Sequence, residues 1–180
     1  MELTKNISQN TIVKSLFAIL LGSIALTISA KIKIPFYPVP MTMQTFVVLF
    51  LGISLGHKIG LASVSLYLFE GIIGLPVFSN SPEKGVGLVY FTGPTMGYLI
   101  GFLTANFLAS KIDSKDNFLL ILSKLIAATS TIYILGLFWL GILIGWDKPI
   151  FDLGAKPFLL AEIFKILILA LITKQIIKIK

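Results

Sequence analysis

Apolar residues fall in long blocks along this chain, and polar residues collect in the gaps between them. About six blocks read as helices: Ile12 to Ala30, Met43 to Leu55, Ile59 to Ile73, Pro94 to Ser110, Phe118 to Gly145, and Pro157 onward to a lysine-rich tail. The second and third are short for a hydrocarbon core of about 30 Å, which a helix crosses in about 20 residues. They are expected to tilt, or to end beside a cavity. Gly56-His57-Lys58 separates them as a short turn. The first gap, Lys31-Ile-Lys33-Ile-Pro35-Phe36-Tyr37-Pro38-Val39-Pro40, is not helical, because proline fixes φ and carries no N–H. It is expected to be extended and apolar enough to lie back on the protein. A long gap, Gly74 to Thr92, holds Gly, Pro, Ser and Asn, and a charged turn fills Lys111 to Asn117. Pro157 suits the first turn of the last helix. Trp139 and Trp146 read as anchors at a membrane interface.

This pattern predicts an all-α fold, a polytopic six-transmembrane-helix bundle with residues 1–180 as one integral membrane domain. Composition points the same way: 56% of residues are hydrophobic and only 13% charged, against about 25% charged in soluble domains. With no cysteine, disulfides and thiolate metal sites are excluded, and one histidine, His57, does not make a metal site. The formal charge is +7 and every basic side chain among the 15 is lysine. These lysines are spread over gaps and ends, which suits topology and anionic headgroups and not nucleic acid. The first apolar run lacks a small-residue cleavage site and reads as a retained helix. Lysine bias places both termini in the cytoplasm of a multi-pass cell-membrane protein, on the side of Lys58, Lys111, Lys115 and Lys124. Lys31 and Lys33 count against that orientation.

Small residues recur every fourth position at Gly93, Gly97, Gly101, Ala105 and Ala109, and again at Gly52, Gly56 and Gly60. Such stripes let helix backbones approach in lipid. A stripe on the first helix, Ala18 and Gly22 with Ala25 and Ser29 alongside, faces either this chain or another subunit.

The chemistry concentrates in Glu162 and Lys165, an acid and a base inside the last apolar block. An ionisable group at membrane depth costs about 2.5–3.5 kcal/mol on insertion scales, and is tolerated where it faces a protein interior or wet cavity. Their i,i+3 spacing puts them on one face. Glu162 lies roughly 7–8 Å into the helix, within reach of one membrane side. Glu70, closing the third block, reads equally as a helix-end acid or a site acid. Gly93-Pro94-Thr95-Met96-Gly97-Tyr98 starts a helix, where free N–H groups favour carbonyl oxygens and anions. Thr95 and Tyr98 add hydroxyls there. Phe78 offers a flat apolar surface and Asn80 a donor and an acceptor. Gln44 and Thr45 bring polar groups to the start of the second helix. By parity of crossings the first, third and fifth loops share one face, so these groups converge. No Walker-type phosphate loop, Ser-His-Asp set or acidic metal cluster is present in the sequence, and the chain does not read as an enzyme.

Taken together, Pro38-Val-Pro40-Met-Thr42-Met-Gln44-Thr45, Gly74-Leu-Pro76-Val-Phe78, Gly93-Pro-Thr95-Met-Gly97-Tyr98-Leu-Ile-Gly101-Phe102 and Lys156-Pro157-Phe158-Leu159 with Glu162 and Lys165 resemble the BioY family. These are the biotin-specific S components of energy-coupling factor (ECF) transporters. The resemblance runs over nearly the whole chain. It implies a six-helix protein that binds biotin from outside and works with a transmembrane coupling subunit and two cytoplasmic ATPases, which hydrolyse the ATP. Biotin is then a transported ligand, and the chain carries no cofactor. The resemblance also implies that small residues on the first helix, Ala18 and Gly22, contact the coupling subunit. The family usually reads Gly-Asp where this chain has Ala161-Glu162, which keeps the carboxylate but adds a methylene. The chain has no arginine, so a lysine is the available cation for any ligand carboxylate.

On this reading Glu162 or Asn80 accepts from the ureido N–H groups. Lys165 either pairs with Glu162 or takes the tail carboxylate. Thr95, Gln44, Thr45 and Tyr98 supply further polar contacts, and Phe36, Phe78 and Met43 line the ring. Another vitamin, thiamine or riboflavin, is the alternative ligand, although Lys165 disfavours cationic thiamine. A stand-alone proton-coupled carrier using Glu162 is the alternative mechanism.

Overall fold

The computed structural model describes the backbone of residues 2–35 and 37–179, and the side chains of 11–35 and 37–177. Helices account for most of it. The long ones are α1 (Glu2–Lys31), α2 (Gln44–Ile72), α4 (Met96–Ala109), α5 (Phe118–Ile144) and α7 (Leu159–Ile179). Short helices α3 (Leu88–Phe91) and α6 (Ile150–Gly154) lie in the connections, and a 3-10 turn, Lys156–Phe158, leads into α7. Three of the helical stretches, Thr11–Lys31, Gln44–Ile72 and Phe118–Ile144, are long and apolar enough to cross a membrane. Their outward faces fit that setting. Along α1, Val13, Leu16, Phe17, Leu20 and Ile24 are all exposed, as are Leu160, Phe164 and Leu171 on α7. A continuous apolar surface of that kind marks a membrane contact.

α2 is one helix in name only. At Gly56 the backbone takes φ 72° and ψ 178°, a left-handed φ that glycine adopts without a Cβ clash. The chain folds back there, so that Gln44 Nε2 at one end donates to Tyr67 Oη near the other at 2.7 Å. A Cβ on Gly60 would stand 3.1 Å from the Leu51 carbonyl oxygen. The turn expected at Gly56-His57-Lys58 is therefore the apex of a helical hairpin, and the first leg begins at the cavity described below.

The small-residue stripe of α4 packs within the chain. A Cβ on Gly97 would collide with the Leu135 carbonyl of α5, and one on Gly101 would lie 2.7 Å from the Ile132 Cα. Ala105 and Ala109 are fully buried, and Gly52 of α2 meets the Asn106 backbone. Gly22 also faces inward, since a Cβ there would run into the Ser63 side chain of α2. This corrects the partner-facing reading of Gly22: its missing side chain admits a neighbouring helix of the same chain. Ala18 is half-buried.

Local chemistry sets the ends. Asn117 caps α5 by accepting from Leu120 N–H at 2.8 Å, and Gly145, at φ 95°, ends it. Only the flanks of the Pro-rich gap are extended: β1 (Lys33–Ile34) and β2 (Met41–Thr42) pair antiparallel, Lys33 opposite Thr42 and Ile34 opposite Met41, and the chain between them turns back through bends at Tyr37, Pro38 and Val39 instead of running extended as expected. α4 starts at Met96, two residues after the expected Pro94. Trp139 is not a free interface anchor, because its Nε1 donates to the Gly93 carbonyl at 2.8 Å.

Gly97→Ala forces α4 and α5 apart and is expected to cost about 2 kcal/mol, lowering the thermal unfolding midpoint in detergent by about 4–8 °C. Leu119→Ala, on an exposed position, leaves that midpoint within about 2 °C.

Candidate functional site

Three connections meet at one end of the bundle: α1 to α2, α2 to α4, and α5 to α7. Lysines fasten the first two together. Lys31 Nζ donates to the carbonyls of Phe78 at 2.7 Å and Ser81 at 2.9 Å. Lys33 Nζ donates to the Ser79 carbonyl at 2.6 Å and to Asn80 Oδ1 at 3.1 Å. The two lysines that lay on the wrong side for a charge-bias argument are thus structural clamps. Tyr98 Oη donates to the Gly154 carbonyl at 2.8 Å and ties the third connection to α4.

Beneath these connections lies a partly enclosed cavity of about 50 Å³ that opens toward solvent. The β-ribbon contributes Val39 to Thr42, and the start of α2 contributes Gln44 and Thr45. Ser79 and Tyr90 come from the connection after α2, Thr95, Tyr98, Leu99 and Phe102 from the start of α4, Ile132 and Tyr133 from α5, and Phe158 and Glu162 from the start of α7. Most of the wall is apolar.

Glu162 and Lys165 are both buried. Lys165 Nζ donates to Glu162 Oε1 at 2.7 Å, to Thr45 Oγ1 at 3.0 Å and to the Thr42 carbonyl at 2.6 Å. An ammonium has three donors, so all three are engaged, and Lys165 stands behind the carboxylate instead of on the wall. Thr45 Oγ1 in turn donates to Glu162 Oε1 at 2.9 Å. One carboxylate oxygen is therefore saturated. The other, Oε2, is buried with no hydrogen-bond partner among the described residues. The Tyr133 hydroxyl lies near the carboxylate without closing a bond to Oε2. The pair carries no net charge, yet it offers a full acceptor to the cavity. It suits a neutral N–H or O–H donor.

The other expected residues divide. Thr95 is on the wall, beside the Tyr90 hydroxyl. Gln44 is on the wall too, but its Nε2 is held by Tyr67 and its Oε1 accepts from Thr42 Oγ1 at 3.3 Å. Tyr98 presents its ring, its hydroxyl being committed to Gly154. Asn80 is off the main wall, in a small adjoining recess with Lys84 and Pro94, and its Oδ1 is taken by Lys33. Phe78 is fully buried behind the cavity, stacked on Tyr90 at 4.6 Å between ring centres and edge-on to Tyr67 and Phe91. Its role as a ring-lining surface passes to Tyr90. Met43 opens α2, with its N–H donating to the Ile32 carbonyl at 3.2 Å, and is not on the wall. Phe36 lies outside the described residues. Glu70 accepts from Ser23 Oγ, which joins α1 to α2, and does not line the cavity.

Sequence reasoning missed Ser79, Tyr90 and Tyr133. Tyr133 carried a signal, a phenol at mid-span in an apolar block just after Thr129, Ser130 and Thr131. Tyr90 carried less, sitting in an irregular connection. Burial pushes its phenol above the ordinary value, so it stays protonated as a donor.

The sequence model of the BioY family matches residues 3–180. The probable biotin transporter BioY of Pyrococcus horikoshii is 37% identical over 143 residues, which cover 79% of this chain and 83% of that protein. The biotin transporter BioY of Thermotoga maritima is 35% identical over 156 residues, covering 86% and 90%. Among solved structures, the chain is similar to the S-component for biotin from an ECF-type ABC transporter, with a TM-score of 0.77, 26% identity, and 94% of this chain and 93% of that one covered.

Lys165→Met strands the buried carboxylate and is expected to destabilise the ligand-free protein by about 3–5 kcal/mol. Adding Glu162→Gln recovers most of that loss, and thermal unfolding of the two variants side by side measures the difference.

Proposed function

The chain belongs to the BioY family, and from that premise we propose that it is the substrate-binding membrane component of an ECF-type transporter, taking up biotin from the extracellular side. The observation that carries this reading is Glu162 Oε2, an unpartnered acceptor on the wall of a mostly apolar cavity. Biotin pairs an apolar fused-ring body with a ureido group that has two N–H donors and one acceptor. An N–H can close on Oε2 while the rings pack on Tyr90, Tyr98, Phe102 and Phe158. The ureido group is neutral, as a charge-balanced Glu162–Lys165 pair requires. Cationic thiamine would find no net negative charge there.

In the membrane, α1, the two legs of α2, α4, α5 and α7 make six spans. Both termini then lie in the cytoplasm of a cell-membrane protein, with the cavity mouth outside. The β-ribbon lies over the cavity, and a Pro-rich segment loses little entropy when it orders on a ligand, which favours tight binding. Transport energy comes from partner ATPases coupled through a transmembrane subunit. Ala18, half-buried on α1, is the candidate contact for that subunit, whereas Gly22 is already occupied by Ser63.

Calorimetry of the purified chain against a vitamin panel tests the assignment. Biotin is expected to bind, and thiamine and riboflavin not to compete. Glu162→Ala removes a hydrogen bond to a charged group and is expected to weaken biotin by about 10–150-fold. Wild-type affinity in that variant would remove Glu162 from the site.

A further inference from the structure

Four buried side-chain polar atoms lack a partner among the described residues: Ser79 Oγ, Asn106 Oδ1, Thr129 Oγ1 and Glu162 Oε2. Asn106 and Thr129 are not on the cavity wall, and Asn106 packs against Gly60 between helices. Ser79 and Glu162 both line the cavity. Ser79 is 5% exposed. It comes from the connection after α2, whereas Glu162 comes from α7, so the two unsatisfied groups are on different walls. They also differ in kind. An ionised carboxylate oxygen only accepts, while a hydroxyl also donates.

Their surroundings differ in charge. Glu162 is neutralised by Lys165. Ser79 sits in a positive neighbourhood. Lys33 Nζ is 2.6 Å from the Ser79 carbonyl and Lys31 holds the carbonyls on either side, those of Phe78 and Ser81. Lys84, five residues on, lies 5.5 Å above the Tyr37 ring. Glu83 is the acid that offsets them. Three ammonium groups against one carboxylate make the outer side of this connection positive, and the lysine clamps fix the backbone that carries the free hydroxyl. We infer that Ser79 Oγ–H donates to the carboxylate at the end of the ligand's tail, and that the charge difference between the walls orients the ligand with its ureido ring at Glu162. This rests on the biotin reading and adds the direction of the molecule in the cavity and a second polar contact.

The test compares biotin with an analogue whose tail ends in a methyl group in place of the carboxylate, on wild type, Ser79→Ala and Glu162→Gln, by calorimetry in detergent. Wild type is expected to prefer biotin over the analogue by about 10–100-fold. In Ser79→Ala biotin weakens to about the level of the analogue, and the preference falls to about threefold or less. Glu162→Gln weakens both ligands and keeps the preference. The ligand-free unfolding midpoint of Ser79→Ala stays at or above wild type, because the substitution deletes an unsatisfied buried hydroxyl. A Ser79→Ala variant that binds biotin like wild type, or that loses both ligands in equal proportion, overturns the orientation and leaves the biotin reading standing. A wild-type chain that binds no biotin overturns both.

Discussion

The structure depends on keeping one carboxylate ionised in a place where an isolated charge would not be tolerated. Moving a lone carboxylate out of water costs far more than one hydrogen bond returns, and a buried pair needs further hydrogen bonds to its donors and acceptors to offset that cost. Here α7 supplies both charges at i,i+3, and the start of α2 supplies the Thr45 hydroxyl and the Thr42 carbonyl. Two helices and the β-ribbon are thereby fastened at one point. A ligand site built on that point inherits a fixed position for its acceptor, since the Thr45 hydroxyl bonds both charges and the Thr42 carbonyl holds Lys165 to the β-ribbon.

A second constraint is topological. The cavity needs irregular backbone at its mouth, and irregular backbone near a membrane must have its carbonyls answered by protein. Lys31 and Lys33 do this for Phe78, Ser79 and Ser81, and the Lys84 N–H does it for Asn80. The placement of Lys31 and Lys33 at the mouth answers that local demand. Gly56 solves the matching problem at the other end. By folding α2 back it sets Tyr67 beside Gln44, so that the second leg holds from behind a side chain that the first leg places on the cavity wall.

The sequence carried the helical blocks, the break at Gly56, the non-helical Pro-rich segment and the Glu162–Lys165 pair, because each rests on local rules: apolar length, glycine and proline conformation, and the cost of charge at depth. The convergence of three connections was legible from parity. Other features were not legible. Whether Phe78 faces the cavity or the core depends on Tyr90 stacking over it, a contact between residues in an irregular connection that no periodicity encodes. Gly22 and Ala18 share a stripe, but only the position of Ser63 says which of them meets the same chain. Ser79 gave no signal, because a serine between phenylalanine and asparagine is ordinary in a loop. Its importance appears only when burial and the absence of a partner are seen together.

Selectivity follows from which polar groups the fold leaves unanswered. Gln44, Tyr98, Lys165, Asn80 and one oxygen of Glu162 are engaged by neighbours before any ligand arrives. They shape the wall and hold it still, and they ask nothing of the ligand. The remaining groups impose a requirement. A molecule that fills the apolar space without a donor for Glu162 Oε2 seals an unsatisfied carboxylate oxygen away from water, a larger penalty than losing a contact on an exposed surface. A site built to hydrogen-bond its ligand therefore rejects analogues lacking the group much more strongly than an apolar pocket rejects a missing methylene. On the proposed reading, the apolar wall sets how tightly a bicyclic body is held, and the few unanswered polar atoms set which bicyclic body it is.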